Sequence, residues 1–153
     1  MFGKGLNPTS LKTTLNNIDF LVDNIKVENG TVRVLEYGPG AGWSTLMLYN
    51  QLRKKFPQKK IELVSVDLSP HSIVATQNTL DYYQVSWQTS LKGDSVKNYP
   101  AKEESITIVL DDFVDFTKKQ PNNYFNGFFS SHGTAYLSED EYASLLGAMK
   151  LKG

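Results

Sequence analysis

The sequence predicts an α/β protein: a mostly parallel, Rossmann-like sheet with helices on both faces. Three observations carry this. Apolar runs of strand length alternate with segments of helical periodicity. Several of those runs are apolar along their whole length, as strands buried on both faces are. And "VLEYGPGAGWST", residues 34 to 45, takes one such run straight into a turn with glycines at 38, 40 and 42.

The elements follow in order. Leu11, Leu15, Ile18, Val22 and Ile25 share one helical face over residues 10–26, with Pro8, Thr9 and Ser10 supplying a start and "ENG" an end. Residues 1–30 are read as an N-terminal helical cap and 31–153 as the sheet domain. "TVRVLEYG" is the first strand. Leu46, Tyr49, Leu52 and Phe56 recur at helical spacing until Pro57. "KIELVSVDLSP" is a second strand ending in Asp67, with Ser69 placed to cap a helix and Pro70 at its first position. Ile73, Leu80 and Trp87 recur at sevens, so that helix extends toward the late eighties unless "VSWQTS" forms a short strand. "SITIVLDDF" and "YFNGFFSSHG" read as further strands. Ser138 and Glu141 then form a capping box before Tyr142, Leu145, Leu146 and Met149.

Composition narrows the function classes. The 153 residues carry sixteen basic and sixteen acidic side chains, so no global field holds a polyanion, and no nucleic-acid partner is expected. The lysines of "RKKFPQKK" suit a helix C-terminus. With no cysteine, thiolate metal sites and disulfides are excluded. Two histidines 61 positions apart give no zinc constellation and no metal is expected. No run approaches a membrane span, and a cytoplasmic protein is the expectation.

Glycines at alternate positions let the chain turn sharply and bring bare backbone against a ligand. Asp67, ending the neighbouring strand, can accept hydrogen bonds from the vicinal hydroxyls of a ribose. Spacing selects among nucleosides. There is no G-x-x-x-x-G-K-[ST] phosphate loop, and Trp43 follows Gly42 where a dinucleotide fingerprint needs close helix–strand packing, which disfavours a nicotinamide enzyme.

The pattern present, E-x-G-x-G-x-G from Glu36 to Gly42, resembles the first motif of the class I, Rossmann-like S-adenosylmethionine-dependent methyltransferases. "LVSVDLSP" is similar to the second motif, and "ITIVLDDFVDF" to the third. "FNGFFSSHGTAYLS" resembles the fourth strand and its loop, with Asn126 where an aspartate is common. "LLGAMKLKG" resembles the helix and turn before a fifth strand, without the proline. The resemblance implies S-adenosylmethionine as cofactor, held by Gly38, Pro39, Gly40 and Gly42 of the loop. Glu36 would steady that loop or meet the amino-acid end of the cofactor. Asp67 would take the ribose, with Leu68 beside the adenine. Asp111 or Asp112 would meet the adenine amino group, with Phe113 near the ring. A second register makes "SITIVLDD" the fourth strand, gives the adenine to Asp94, and brings Asp111 and Asp112 toward the methyl, as in metal-dependent O-methyltransferases.

Methyl transfer from a sulfonium is an in-line displacement, to which positioning contributes much, and a base is needed only if the acceptor must lose a proton. Ser131 and His132, after the fourth strand, are the acceptor-side candidates. Ser130 shares that loop, and His71 reads as structural. The match covers residues 31–153 and lacks the last strands of the full fold, which leaves "YFNGFFSS" as an apolar edge suited to a homodimer or a partner chain. The expected function is methyl transfer to a small molecule or protein, by this chain or by an enzyme of which it is the cofactor-binding part. The alternative is a non-catalytic module that binds S-adenosylmethionine or S-adenosylhomocysteine and acts through a partner.

Overall fold

A computed structural model of the chain describes residues 8–28, 30–90, 106–131 and 133–153. Among the described residues five α-helices and five strands follow in order: α1 (Pro8–Asn24), β1 (Thr31–Tyr37), α2 (Trp43–Lys55), β2 (Lys60–Asp67), α3 (Pro70–Tyr82), β3 (Trp87–Ser90), β4 (Ile106–Leu110), α4 (Phe113–Lys119), β5 (Gly127–Ser130) and α5 (Glu139–Lys152). All pairings are parallel, in the order β3-β4-β2-β1-β5.

Alternation along the strands sends side chains to two cores. Val32 and Val34 of β1 join Ile61, Leu63, Ile106 and Ile108 beneath α1, α2 and α3, where Ile18, Leu48, Leu52 and Leu80 fill the layer. Leu35 and Tyr37 join Val64, Val66 and Val109 on the opposite face, closed by Phe116 of α4 and Leu145 of α5. Fully burying one such side chain contributes about 1.5–3 kcal/mol. Helix α1 is shorter than the periodicity suggests, ending at Asn24, whose side-chain amide donates to the Phe20 carbonyl. None of the described helices is long and apolar enough to cross a membrane.

The sheet order separates the two registers. Ile106–Leu110 lies beside β2 and Gly127–Ser130 beside β1, the 3-2-1-4 neighbourhood of a doubly wound sheet. That is the first register; Asp94 lies outside the described residues.

The seven-residue spacing through Trp87 misleads. Helix α3 stops at Tyr82 in a Schellman turn, with Val85 N–H on the Leu80 carbonyl, Gln84 N–H on Asp81, and Gln84 at φ 58°. The chain then re-emerges as β3, an added edge strand that aligns Trp87 with Ile106. The other edge is β5. Its Phe128 is half-buried, and a Cβ on Gly127 would stand 3.0 Å from Leu21 of α1, so helix and strand meet closely there.

Parallel register also decides where loops fall. Tyr37 is level with Val66 and Ser130, and Asp67 with Leu110. The turns after β1, β2, β4 and β5 therefore open side by side at one end of the sheet.

Candidate cofactor site

The glycine turn uses its three glycines differently. All three are left-handed, with φ of 68° at Gly38, 59° at Gly40 and 86° at Gly42. Gly38 N–H donates to the Val66 carbonyl at 2.8 Å, and a Cβ on Gly38 would come within 2.6 Å of Gly133 Cα. A Cβ on Gly42 would reach 2.9 Å from Thr76 Cα of α3. Those two are small because backbone packs against them. Gly40 has nothing within 4 Å of such a Cβ, and its bare backbone forms cavity wall. From behind, Thr76 and Thr79 hydroxyls donate to the Gly40 and Ala41 carbonyls, at 3.2 and 2.6 Å.

Glu36 is fully buried and stands behind this turn. It lies on the same face of β1 as Val32 and Val34, under α2. Its carboxylate accepts from the hydroxyls of Ser44, from Thr45 at 2.6 Å and from Ser65 at 2.6 Å, joining β1, β2 and the start of α2. Burial pushes its pKa above the usual carboxylate value, against the pull of the three hydroxyls, and the charge of Asp67 adds to the rise. Of the two roles expected for Glu36, these hydrogen bonds support the steadying of the loop, and Glu36 is not among the residues that line the cavity.

The cavity in front of the turn has a volume of about 1020 Å³. That is at the upper end of the size that encloses a drug-sized ligand. Asp67, Leu68, Asp112, Phe113 and Pro39 all line it. Asp67 Oδ1 accepts from Ser69 N–H at 2.9 Å. Asp112 caps α4, with its Oδ1 on the N–H groups of Val114 and Asp115. In both carboxylates the second oxygen has no hydrogen-bond partner among the described residues. Asp111 differs. It is buried away from the cavity, with Oδ1 on Asp112 N–H at 2.8 Å and Oδ2 3.6 Å from Lys119 Nζ. Of the two aspartates expected at the adenine, only Asp112 reaches the wall. Phe113 also braces the site floor, its ring centroid 5.3 Å from that of Tyr37.

On the other side, Ser131 lines the cavity, and its Oγ lies 3.3 Å from Thr14 Oγ1 of α1. Ser130 accepts from Thr134 N–H in the following turn and is committed to that structure. His132 lies outside the described residues. His71 is exposed on α3, away from the wall. Trp43 lines the cavity and also packs edge-on to Tyr83, with centroids 5.8 Å apart.

Several wall residues are not among the site residues expected from the sequence. Leu11 and Thr14 come from α1, and Tyr136, Leu137 and Glu141 from the segment that starts α5. The periodicity of α1 and the capping box at Ser138 announced those elements without saying what they face. Gly133 is the closest neighbour of the glycine turn, its would-be Cβ only 2.7 Å from the Tyr37 carbonyl. A single glycine in a loop carries no spacing signal.

No protein-family profile and no curated protein sequence matches the chain. Solved structures do. A Methanococcus maripaludis protein assigned as an S-adenosyl-L-methionine-dependent methyltransferase superposes with a TM-score of 0.61 at 12% identity, over 94% of this chain and 52% of its own. A SAM-dependent methyltransferase of Aquifex aeolicus gives 0.57 at 14% identity, over 97% and 68%. The Podospora anserina methyltransferase PaMTH1, solved with S-adenosylhomocysteine bound, gives 0.51 at 16%, over 96% and 58%. The fold is that of the class I methyltransferases. The chain spans about half the length of the first of these proteins. Within the methyltransferase fold, β4 and β5 hold the third- and fourth-strand places, and β3 is an addition at the outer edge.

Proposed function

We propose that this chain binds S-adenosylmethionine and transfers its methyl group, alone or as the cofactor-binding part of a larger enzyme. One observation carries the proposal. The open backbone at Gly40 and the uncommitted carboxylate oxygens of Asp67 and Asp112 face one cavity, at the point where the sheet order reverses around β1.

The residues present fit that cofactor. Asp67 offers an acceptor for two ribose hydroxyls, Leu68 and Phe113 offer apolar surface for a base, and Asp112 offers an acceptor for an exocyclic amine. Gly40 admits a ligand against the main chain, in space that any side chain would fill. Nothing in the loop is built for phosphate, in keeping with a cofactor that has none.

When bound, the cofactor supplies a methyl group already activated by its sulfonium. The chain's own work is orientation. Glu36 fixes the angle between β1 and α2, so the turn keeps its shape without a ligand. Thr14 and Ser131 join α1 to the end of β5 and close the wall on the acceptor side, where Ser131 Oγ is one hydroxyl placed to meet an incoming group. We further propose that copies of the chain, or a partner, pair along the free edge of β5. Sedimentation over a wide concentration range should show concentration-dependent mass, and a strict monomer contradicts the pairing.

Calorimetry with S-adenosylmethionine, S-adenosylhomocysteine and NAD tests the main proposal. The first two should bind saturably and NAD should not. Asp67→Ala should weaken both by about ten- to a hundredfold, the value of hydrogen bonds to a charged group. Unchanged binding by the variant contradicts the assignment. Binding with no demethylated product from any acceptor pool identifies a binding module.

A further inference from the structure

We propose that the acceptor is an amine, bound as its cation at the end of the cavity formed by Tyr136, Glu141 and the start of α1. This rests on the proposed function and adds the class of its second substrate.

The strand order divides the cavity. Asp67 and Asp112 follow β2 and β4, whereas Ser131 follows β5, with β1 and its glycine turn between. Strands are spaced about 4.8 Å apart, so β2 and β5 lie roughly 10 Å from each other. A nucleoside seated at Asp67 and Asp112, lying across the glycine turn, points its reactive end toward β5. What lines that far end therefore meets the acceptor.

Three observations there agree. Among the described residues of the whole wall the charged side chains are Asp67, Asp112 and Glu141, with no lysine or arginine. Two of these carboxylates match polar groups of the nucleoside, and Glu141 is left over. Glu141 is held in place by its capping box, Oε2 accepting Ser138 N–H at 2.7 Å, while Oε1 has no hydrogen-bond partner among the described residues. The hydrogen bonds from Ser138 keep its carboxyl below the usual range, so it is ionised at neutral pH. Tyr136, on the same wall, is 90% exposed, an aromatic ring left in solvent, and Leu137 and Leu11 add apolar wall. A carboxylate with an exposed aromatic ring suits an ammonium on an apolar body. Among the described residues of this wall no cation offsets the three carboxylates, so this end favours a cationic acceptor over an anionic one. In transfer, the ammonium first gives a proton to water. The free nitrogen pair then bonds to the methyl carbon as the carbon–sulfur bond opens, its electrons returning to sulfur. The product is a thioether and a methylated ammonium.

Paired probes of one shape and opposite charge test this: phenethylamine and 3-phenylpropionate, titrated by NMR into the chain with and without S-adenosylhomocysteine. Phenethylamine should shift the Tyr136 and Glu141 resonances saturably, and 3-phenylpropionate should bind at least tenfold more weakly. Glu141→Gln should weaken the amine about tenfold and S-adenosylhomocysteine less than twofold. Tyr136→Ser, at a position no core depends on, should also weaken the amine. Equal or tighter binding of the acid overturns the proposal, as does an amine affinity unmoved by both variants. Failure of S-adenosylhomocysteine to bind refutes the cofactor assignment instead, and the titration without it still reads the amine site.

Discussion

The two ends of the sheet treat polar groups in opposite ways. At the amino ends of β1 and β2, the charged side chains of Arg33, Lys60 and Glu62 pair within the protein. Arg33 Nε donates to Glu62 Oε2 at 2.9 Å, Lys60 Nζ lies 3.5 Å from Oε1, Tyr124 donates its hydroxyl to the same carboxylate, and the Arg33 guanidinium stacks over the Tyr124 ring at 4.7 Å. Asn126 completes the lock. Its Oδ1 accepts Arg33 N–H and its Nδ2 donates to the Lys26 carbonyl, a donor that an aspartate here would lack. At the carboxyl ends, Asp67, Asp112 and Glu141 each commit one oxygen to local backbone and leave the other to the cavity. A satisfied network holds a fold together. Oxygens without protein partners around bare glycine backbone are what a ligand site requires.

The largest effect should separate glycines that serve packing from the one that serves binding. Gly38→Ala combines left-handed strain with a backbone clash, a cost of about 3 kcal/mol. Thermal unfolding should move down by roughly 10 °C. Gly40→Ala meets only the strain, about 1–2 kcal/mol. It should fold, as circular dichroism would show, yet bind S-adenosylhomocysteine at least tenfold more weakly. If Gly40→Ala binds normally, the open space is not a ligand contact.

Glu36 sharpens the contrast through pH. Its folded pKa is raised from the ordinary 4.5, so the native state favours the protonated acid and loses stability as pH rises from that value through the folded pKa. Glu36→Gln removes this titration. The stability of wild type relative to the variant should therefore fall between pH 4.5 and the folded pKa and then level off, in paired urea titrations. A relative stability that grows with pH contradicts the assignment of burial as the dominant cause.

Arg33→Met at the opposite end should do least. The pair with Glu62 is partly exposed, at 26% and 17% for the two side chains, and such pairs contribute about 1 kcal/mol or less. Urea midpoints should drop slightly, with cofactor affinity unchanged. A loss of affinity would show that the two ends are coupled.

Much of this was legible in the sequence, for reasons visible in individual residues. Ser69, Pro70, Ser138 and Glu141 mark helix starts by local chemistry alone, and the structure places them so. The glycine turn and Asp67 were legible because motif spacing is itself a statement about backbone. What failed depended on partners far along the chain. Gly133 is glycine on account of Gly38, 95 positions away. Gln84 adopts a conformation usually left to glycine, so only the strand reading of "VSWQTS", which β3 bears out, marked where α3 must stop. The face of Glu36 was readable: parity with Val32 and Val34 sends it under α2. Between Asp111 and Asp112 local sequence offers no preference, and the start of α4 makes the choice.

A crystal structure of the chain grown with S-adenosylhomocysteine tests the cofactor assignment most directly. The ligand should lie across the glycine turn, with ribose hydroxyls on Asp67, adenine between Leu68 and Phe113 with its amino group toward Asp112, and main-chain contact at Gly40. Ligand bound elsewhere, or with its ribose away from Asp67, would contradict it.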